Sequence, residues 1–206
     1  MISTVRHQAS YETHSLYDVT FFSDLIRTHL TSTPSIVDSW ISDTITRNVP
    51  PIVGLDIEWR PNTEPNMNNP VATLQLCAGT GCLVFHIIHA PFIPQSLVAF
   101  LRDPSRTFVG VGIEADVLKL RQNYALTVTN YRDLRFLAAE KYGSSELIRA
   151  GLKMLSLTVL GLEVNKPHWI TRSGWDIRPL TLEQVQYATI DAFVSFEIGR
   201  HLLTSV

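Results

Sequence analysis

Residues 52–61 read IVGLDIEWRP, and the fold turns on this stretch. Ile52, Val53, Leu55 and Ile57, with Gly54 among them, make the short apolar run of a buried strand. Asp56 and Glu58 interrupt that run at its C-terminal end. Strand side chains alternate between faces, so residues two apart point the same way. Asp56 and Glu58 therefore project together, roughly 6–7 Å apart along the strand. Like charges at the end of a buried strand repel and are costly to bury. Two readings are open on this stretch alone. The strand end carries its acids to water, or a divalent cation neutralises them, and Mg²⁺ favours a few carboxylate oxygens plus water.

The chain around this stretch has 206 residues, 45% of them hydrophobic. That suffices for one sizeable core, and a single domain over residues 1–206 is expected. Lys and Arg number 17 against 19 Asp and Glu, a net charge of −2. With no polybasic run, the bulk surface attracts long nucleic acid only weakly, which leaves local basic patches for that task. No apolar run approaches ~18–20 residues, so no membrane span is indicated. The N-terminus, MISTVRHQASYETH, lacks the apolar core of a signal peptide. A soluble intracellular protein of the nucleus or cytoplasm, without a membrane partner, is expected. Cys77 and Cys82 bracket Ala78-Gly79-Thr80-Gly81 and would face each other across a hairpin as free buried thiols. Their C-x4-C spacing, with no second Cys/His pair at finger spacing, argues against zinc.

In chain order, residues 15–22 and 25–31 read as a hairpin around Ser23-Asp24. Thr33-Pro34 looks like an N-cap followed by proline in the first helical position. Ile36, Val37, Trp40, Ile41 and Ile45 continue at helical spacing, with a stop near Asn48. These pieces make a strand and helix extension over residues 1–49. After the central strand, residues 62–70 read as a loop. Residues 72–77 and 82–88 are a second hairpin. The pattern then alternates: a helix over 94–102, a strand over 107–113, a helix over 114–124, a short strand over 127–131, and helices over 132–142 and 145–160. Ile148, Leu152, Leu155 and Val159 form the core stripe of the last of these. A loop over 161–179 carries Lys166, His168, Trp169, Arg172 and Trp175. The final helix opens with a capping box, Thr181 to Gln184, flanked by Leu180 and Val185 at staple positions, and runs to about Leu203. The expected class is α/β, a mixed sheet flanked by helices.

Two further carboxylates have distinctive settings. Asp116 follows the apolar run FVGVGI in the first turn of a helix, where the dipole favours an acid. Asp191 lies mid-helix in YATIDAFVSF, with Tyr187 four residues earlier on the same face. An aspartate has poor propensity there and needs a reason. Singly, each has an ordinary explanation: a first-turn acid, a solvent-facing acid, a half-buried aromatic.

Jointly they carry a resemblance. VGLDIEW, ATLQLCAGTGCLVFHI, FVGVGIEADVLKL and SGWDIRPLTLEQVQYATIDAF follow one another in the order and spacing of the DEDD superfamily of 3′-5′ exonucleases, tyrosine subclass. The chain resembles in particular the Werner-type exonuclease domain, over roughly residues 50–203. The resemblance implies a ribonuclease H-like (DnaQ-like exonuclease) fold. It implies that Asp56, Glu58, Asp116 and Asp191 hold two Mg²⁺ or Mn²⁺ ions, Asp56 bridging, Glu58 and Asp191 completing one shell, and Asp116 acting through water on the other. Two ions roughly 3.5–4 Å apart suit phosphodiester hydrolysis, one serving the attacking water and one the leaving oxygen. Tyr187 would orient that water, since a phenol with an ordinary pKa near ~10 is a poor base at neutral pH.

The substrate implied is a nucleic-acid 3′ end, DNA ahead of RNA. Ile57 would approach the terminal nucleotide through its backbone, its side chain pointing to the other face. Lys119, Lys153, Lys166, Arg172 and Arg178 are candidates for phosphate contact, each equally a solvated surface charge. Trp59, Trp169 and Trp175 read as packing residues, although a loop tryptophan can stack a base. The chain departs from the Werner-type pattern at Leu118, where tryptophan is expected two residues past the third acid. Aromatic stacking is lost there and an apolar wedge remains. Targeting or processivity would come from a homo-oligomer, through an exposed apolar N-terminal patch, or from a separate partner. Two alternatives share the fold: a catalytically silent nucleic-acid-binding scaffold, and a ribonuclease trimming RNA 3′ ends.

Overall fold

Strand β4 (Ile52–Trp59) lies inside an eight-stranded sheet, and a computed structural model describes the chain around it over residues 2–7, 13–46, 51–165 and 167–204. The other strands are β1 (Ile2–Arg6), β2 (His14–Phe21), β3 (Asp24–Thr31), β5 (Val71–Ala78), β6 (Gly81–Phe85), β7 (Thr107–Gly110) and β8 (Tyr131–Asp133). Their order across the sheet is β1-β2-β3-β6-β5-β4-β7-β8. β4 runs antiparallel to β5 and parallel to β7, so the sheet is mixed.

Alternation along β4 sorts its residues between two cores. Val53, Leu55 and Ile57 face α1 (Pro34–Thr46), α2 (Gln95–Arg102) and α3 (Ile113–Tyr124), packing with Trp40, Leu97, Phe100 and Leu120. Ile52 faces the opposite layer, built from α4 (Leu134–Tyr142), α5 (Leu152–Leu160) and the long helix α7 (Leu182–Thr204). Asp56 and Glu58 share the parity of Ile52 and so project toward α7. The contact there is close: a Cβ on Gly54 would sit 1.9 Å from the carbonyl oxygen of Ala192. Only glycine lets the helix axis come down this far onto the strand.

The N-terminal hairpin forms as β2 and β3, with Phe22 at its turn in the left-handed region (φ 54°). The expected stop of α1 near Asn48 lies outside the described residues. The second hairpin forms as β5 and β6, with Cys77 directly opposite Cys82 and both thiols buried and free. The capping box of α7 is made: the Thr181 N–H donates to Gln184 Oε1 at 2.9 Å and the Gln184 N–H to Thr181 Oγ1 at 3.2 Å. Leu180 and Val185 are buried beside it.

Several boundaries depart from the sequence reading. β7 stops at Gly110 because Gly112, at φ 73°, turns the chain into α3. The strand expected over 127–131 sits later, at Tyr131–Asp133. Leu126 and Val128 bury into the α1-α2-α3 core instead, and the Thr129 N–H bonds the Leu101 carbonyl rather than a neighbouring strand. The helix expected over 145–160 is split into a 3₁₀ turn, Ser145–Arg149, and α5, with Gly151 extended between them. Leu147 therefore takes the core position, while Ile148 turns outward at 40% exposure; Leu152, Leu155 and Val159 are buried as expected. Within 161–179 the chain forms a one-turn helix, α6 (His168–Thr171). No helix among the described residues is long and apolar enough to cross a membrane.

Candidate active site

Three carboxylates meet where α7 crosses β4. Asp56, Glu58 and Asp191 each offer an oxygen, and these oxygens lie within 4.8 Å of one another. Glu58 and Asp191 are buried, at 8% and 3% exposure, and Asp56 is half-buried. The solvent-facing reading of Asp191 is thereby overturned: its side of α7 lies against the sheet because Gly54 admits the helix.

Asp116, on α3, lies near enough to Asp56 to feel its charge but stands outside the three-carboxylate cluster. Burial pushes its carboxyl up to about 8, and the charges of Asp56 and then Asp133 add to that rise. A carboxyl raised this far by burial and like charge behaves as a group short of positive charge. Asp133 sets where Asp116 stands. Its carboxylate accepts from the Gly112 N–H at 3.0 Å, at the start of α3. It also accepts from the Arg135 backbone N–H and from the Arg135 guanidinium at 2.6 Å. One side chain thus caps α4 and anchors the turn that launches α3.

The neighbouring strand completes the floor. Gln75 lies directly opposite Asp56 and Thr73 opposite Glu58, so both share the carboxylates' face. Both are fully buried, and Gln75 Nε2 donates to Thr73 Oγ1 at 2.6 Å. Gln75 Oε1 is buried without a hydrogen-bond partner among the described residues. The three clustered acids, with Asp116 near Asp56 and an orphaned buried oxygen opposite Asp56, form an all-oxygen donor set. Such a set fits a hard divalent cation of the Mg²⁺ or Mn²⁺ kind.

Tyr187 sits one turn before Asp191 and is buried. Thr171 Oγ1 of α6 donates to its phenol oxygen at 3.3 Å, and the wholly buried Trp175 packs with its ring at 6.0 Å. The loop bearing these residues is tied to the sheet. Arg60, just past β4, pairs with Asp176 at 2.8 Å, and His86 and His89 bond the carbonyls of Trp175 and Asp176.

The other anticipated residues scatter. Ile57 is buried in the core on the far face of β4. Leu118 is exposed at 53%. Lys119 bonds Asn68 at 2.9 Å and lies 5.0 Å from the Trp59 ring centroid. Lys153 pairs with Glu163, and Arg178 bonds Ser32 and the His89 carbonyl. Arg172 and His168 are exposed. Lys166 lies outside the described residues. Trp169, read as a packing residue, is 62% exposed. Asp133, Thr73 and Gln75 escaped the sequence reading. Only strand register would have exposed the last two, since their partners are fixed by pairing and not by spacing.

The chain is similar to known proteins over most of its length. A family model described as 3′-5′ exonuclease matches residues 28–206. A 3′-5′ exonuclease of Arabidopsis thaliana is 38% identical over 152 residues, 73% of this chain and 52% of that protein. The bifunctional 3′-5′ exonuclease/ATP-dependent helicase WRN of Mus musculus is 35% identical over 152 residues, 73% of this chain and 11% of that protein. The chain thus spans about half the length of the first of these relatives and a small part of the second. Among solved structures, the EXD2 exonuclease domain soaked in Mg and GMP aligns with a TM-score of 0.50 at 30% identity, over 85% of this chain and 88% of that one. Escherichia coli RNase D aligns with a TM-score of 0.71 at 22% identity, over 84% of this chain and 44% of that one. The fold is ribonuclease H-like, as the motifs implied.

Proposed function

The chain belongs to the 3′-5′ exonuclease family, and on that premise we propose that it removes nucleotides from DNA 3′ ends by metal-dependent phosphodiester hydrolysis. The observation that carries this reading is the meeting of Asp56, Glu58 and Asp191 within 4.8 Å from two elements more than a hundred residues apart. A fold has little reason to gather and bury acids of one sign unless something positive binds them.

Asp56, Glu58, Asp116 and Asp191 would hold two Mg²⁺ or Mn²⁺ ions in this reading. When bound, such ions neutralise charge on the phosphoryl group and lower the pKa of water enough to give a nucleophile at neutral pH. The chain's own residues do the rest. Asp56 is the acid shown both in the cluster with Glu58 and Asp191 and within electrostatic reach of Asp116, so it would help hold the ions. Asp133, through Gly112, sets the start of α3 and hence the placement of Asp116. Tyr187, held by Thr171, would orient the attacking water. Thr73 and Gln75 support the two strand-borne acids from the adjacent strand.

A time course on a 3′-recessed duplex labelled at its 5′ end, with Mg²⁺, Mn²⁺ or EDTA, tests the proposal. A metal-dependent ladder shortening from the 3′ end, absent from Asp56→Asn, is expected. Folded protein that yields no ladder from DNA or RNA in either metal would overturn it. Labelled DNA and RNA in competition separate deoxyribonuclease from ribonuclease action, because contact with the 2′-OH decides between them.

A further inference from the structure

Tyr187 and Asp191 form one side of a pocket of about 230 Å³ whose other lining residues have no role in the proposed chemistry. Its apolar wall is Ile2, Pro167, Ile170 and Ile190, and Trp169 stands over it at 62% exposure. A tryptophan so exposed next to an apolar wall leaves a large aromatic face in water, an arrangement that favours a flat occupant. The anchoring is specific. Trp169 sits in α6, whose Thr171 bonds the Tyr187 phenol, so the indole is placed relative to the site by one turn of helix. Ile2 arrives from β1, which is fastened to α7 by the hydrogen bond from Thr4 to Gln186 at 2.8 Å.

The lining also says what the occupant is not. Its charged members are Glu183 and Asp191, and no Lys or Arg lines it among the described residues. Glu183 repels a phosphate, whereas an aromatic face over aliphatic side chains accepts an uncharged planar ring. We propose that Trp169 is the platform on which the base of the substrate's terminal nucleotide stacks, a specificity-determining role that rests on the exonuclease reading above. The pocket shares Tyr187 and Asp191 with the reacting centre, so a base held there belongs to the nucleotide being released. Stacking on an indole accepts any base, which predicts tolerance of sequence with intolerance of a missing base.

Two measurements test this on the full chain. In the first, the 5′-labelled duplex carries either a normal or an abasic 3′-terminal nucleotide. Wild type is expected to favour the normal end, Trp169→Ala to lose about tenfold or more in kcat/KM on normal ends, chiefly through KM, and to process both ends alike. Trp169→Phe should keep most of the preference. Equal discrimination by wild type and Trp169→Ala would overturn the proposal. In the second, a short single-stranded oligonucleotide is titrated into inactive Asp56→Asn while tryptophan fluorescence is followed. Quenching that disappears when Trp169→Phe is added supports stacking, and unchanged or absent quenching refutes it. This second readout needs no turnover, so a failure of the exonuclease reading is told apart from a failure of this one.

Discussion

At the scale of single residues, the carboxylate cluster sets stability against chemistry. Asp56, Glu58 and Asp191 are gathered closely enough to repel in the absence of cation. Asp191→Asn keeps the shape and removes one charge. It is expected to raise Tm in EDTA by about 2–4 °C, the shift that ~1 kcal/mol gives a chain of this size, and to cut the exonuclease rate by at least ~10³. Adding Mn²⁺ should raise the Tm of wild type and leave that of Asp191→Asn nearly unmoved, since ligand bound only by the folded state stabilises it. Calorimetry with and without metal checks both statements. His86 makes a separate prediction. Burial, and then the neighbouring His89, push its imidazole down to about 4 while it bonds the Trp175 carbonyl. The unfolded chain takes up this proton near pH 6.5 and the folded protein only near 4. Its contribution is therefore complete above about pH 6.5 and is lost as pH falls toward 4, up to roughly 3 kcal/mol. Urea unfolding at pH 7, 6 and 5 should show that slope, and His86→Gln should flatten it.

At the scale of elements, the site depends on how near α7 lies to β4. Gly54 permits the approach, and a Cβ there would meet the Ala192 carbonyl at 1.9 Å. Gly54→Ala must push the helix off the strand, carrying Asp191 and Tyr187 away from Asp56 and Glu58. A loss of about 2 kcal/mol or more in stability is expected from the overpacking, and roughly 10²-fold in activity from misplacement near 1 Å. Denaturant midpoints beside initial rates separate the two effects, and unchanged activity would show that the helix position does not matter. The same scale explains what was legible in sequence. The capping box and staple of α7, the two hairpins and β4 are local patterns, each decided by neighbours a few residues apart. The break at Gly151 and the late start of β8 were not legible. There the burial of Leu147, Leu126 and Val128 in tertiary cores outweighs helical or strand periodicity.

At the scale of the whole molecule, a net charge of −2 and three of the five candidate cations already engaged, Lys119 by Asn68, Lys153 by Glu163 and Arg178 by Ser32, point to few phosphate contacts. The affinity of inactive Asp56→Asn for a 3′-recessed duplex should fall with log salt at a slope no steeper than about −3, the value for some three neutralised phosphates. Fluorescence anisotropy between 50 and 200 mM salt, taken as approximately the range where counterion release dominates, measures it. Sequence alone determined the types and order of the residues proposed for chemistry, and the strand and helix that carry them. Alternation along β4 and the four-residue spacing of Tyr187 and Asp191 follow from backbone geometry, which needs no partner. The tertiary structure decided the rest: that Asp191 is buried among carboxylates and not in water, that Thr73 and Gln75 lie under them, that Asp133 holds the turn into α3, and that Trp169 faces a pocket. Each of these rests on strand register or on one helix crossing a sheet, and such contacts join residues whose separation along the chain leaves no periodic trace.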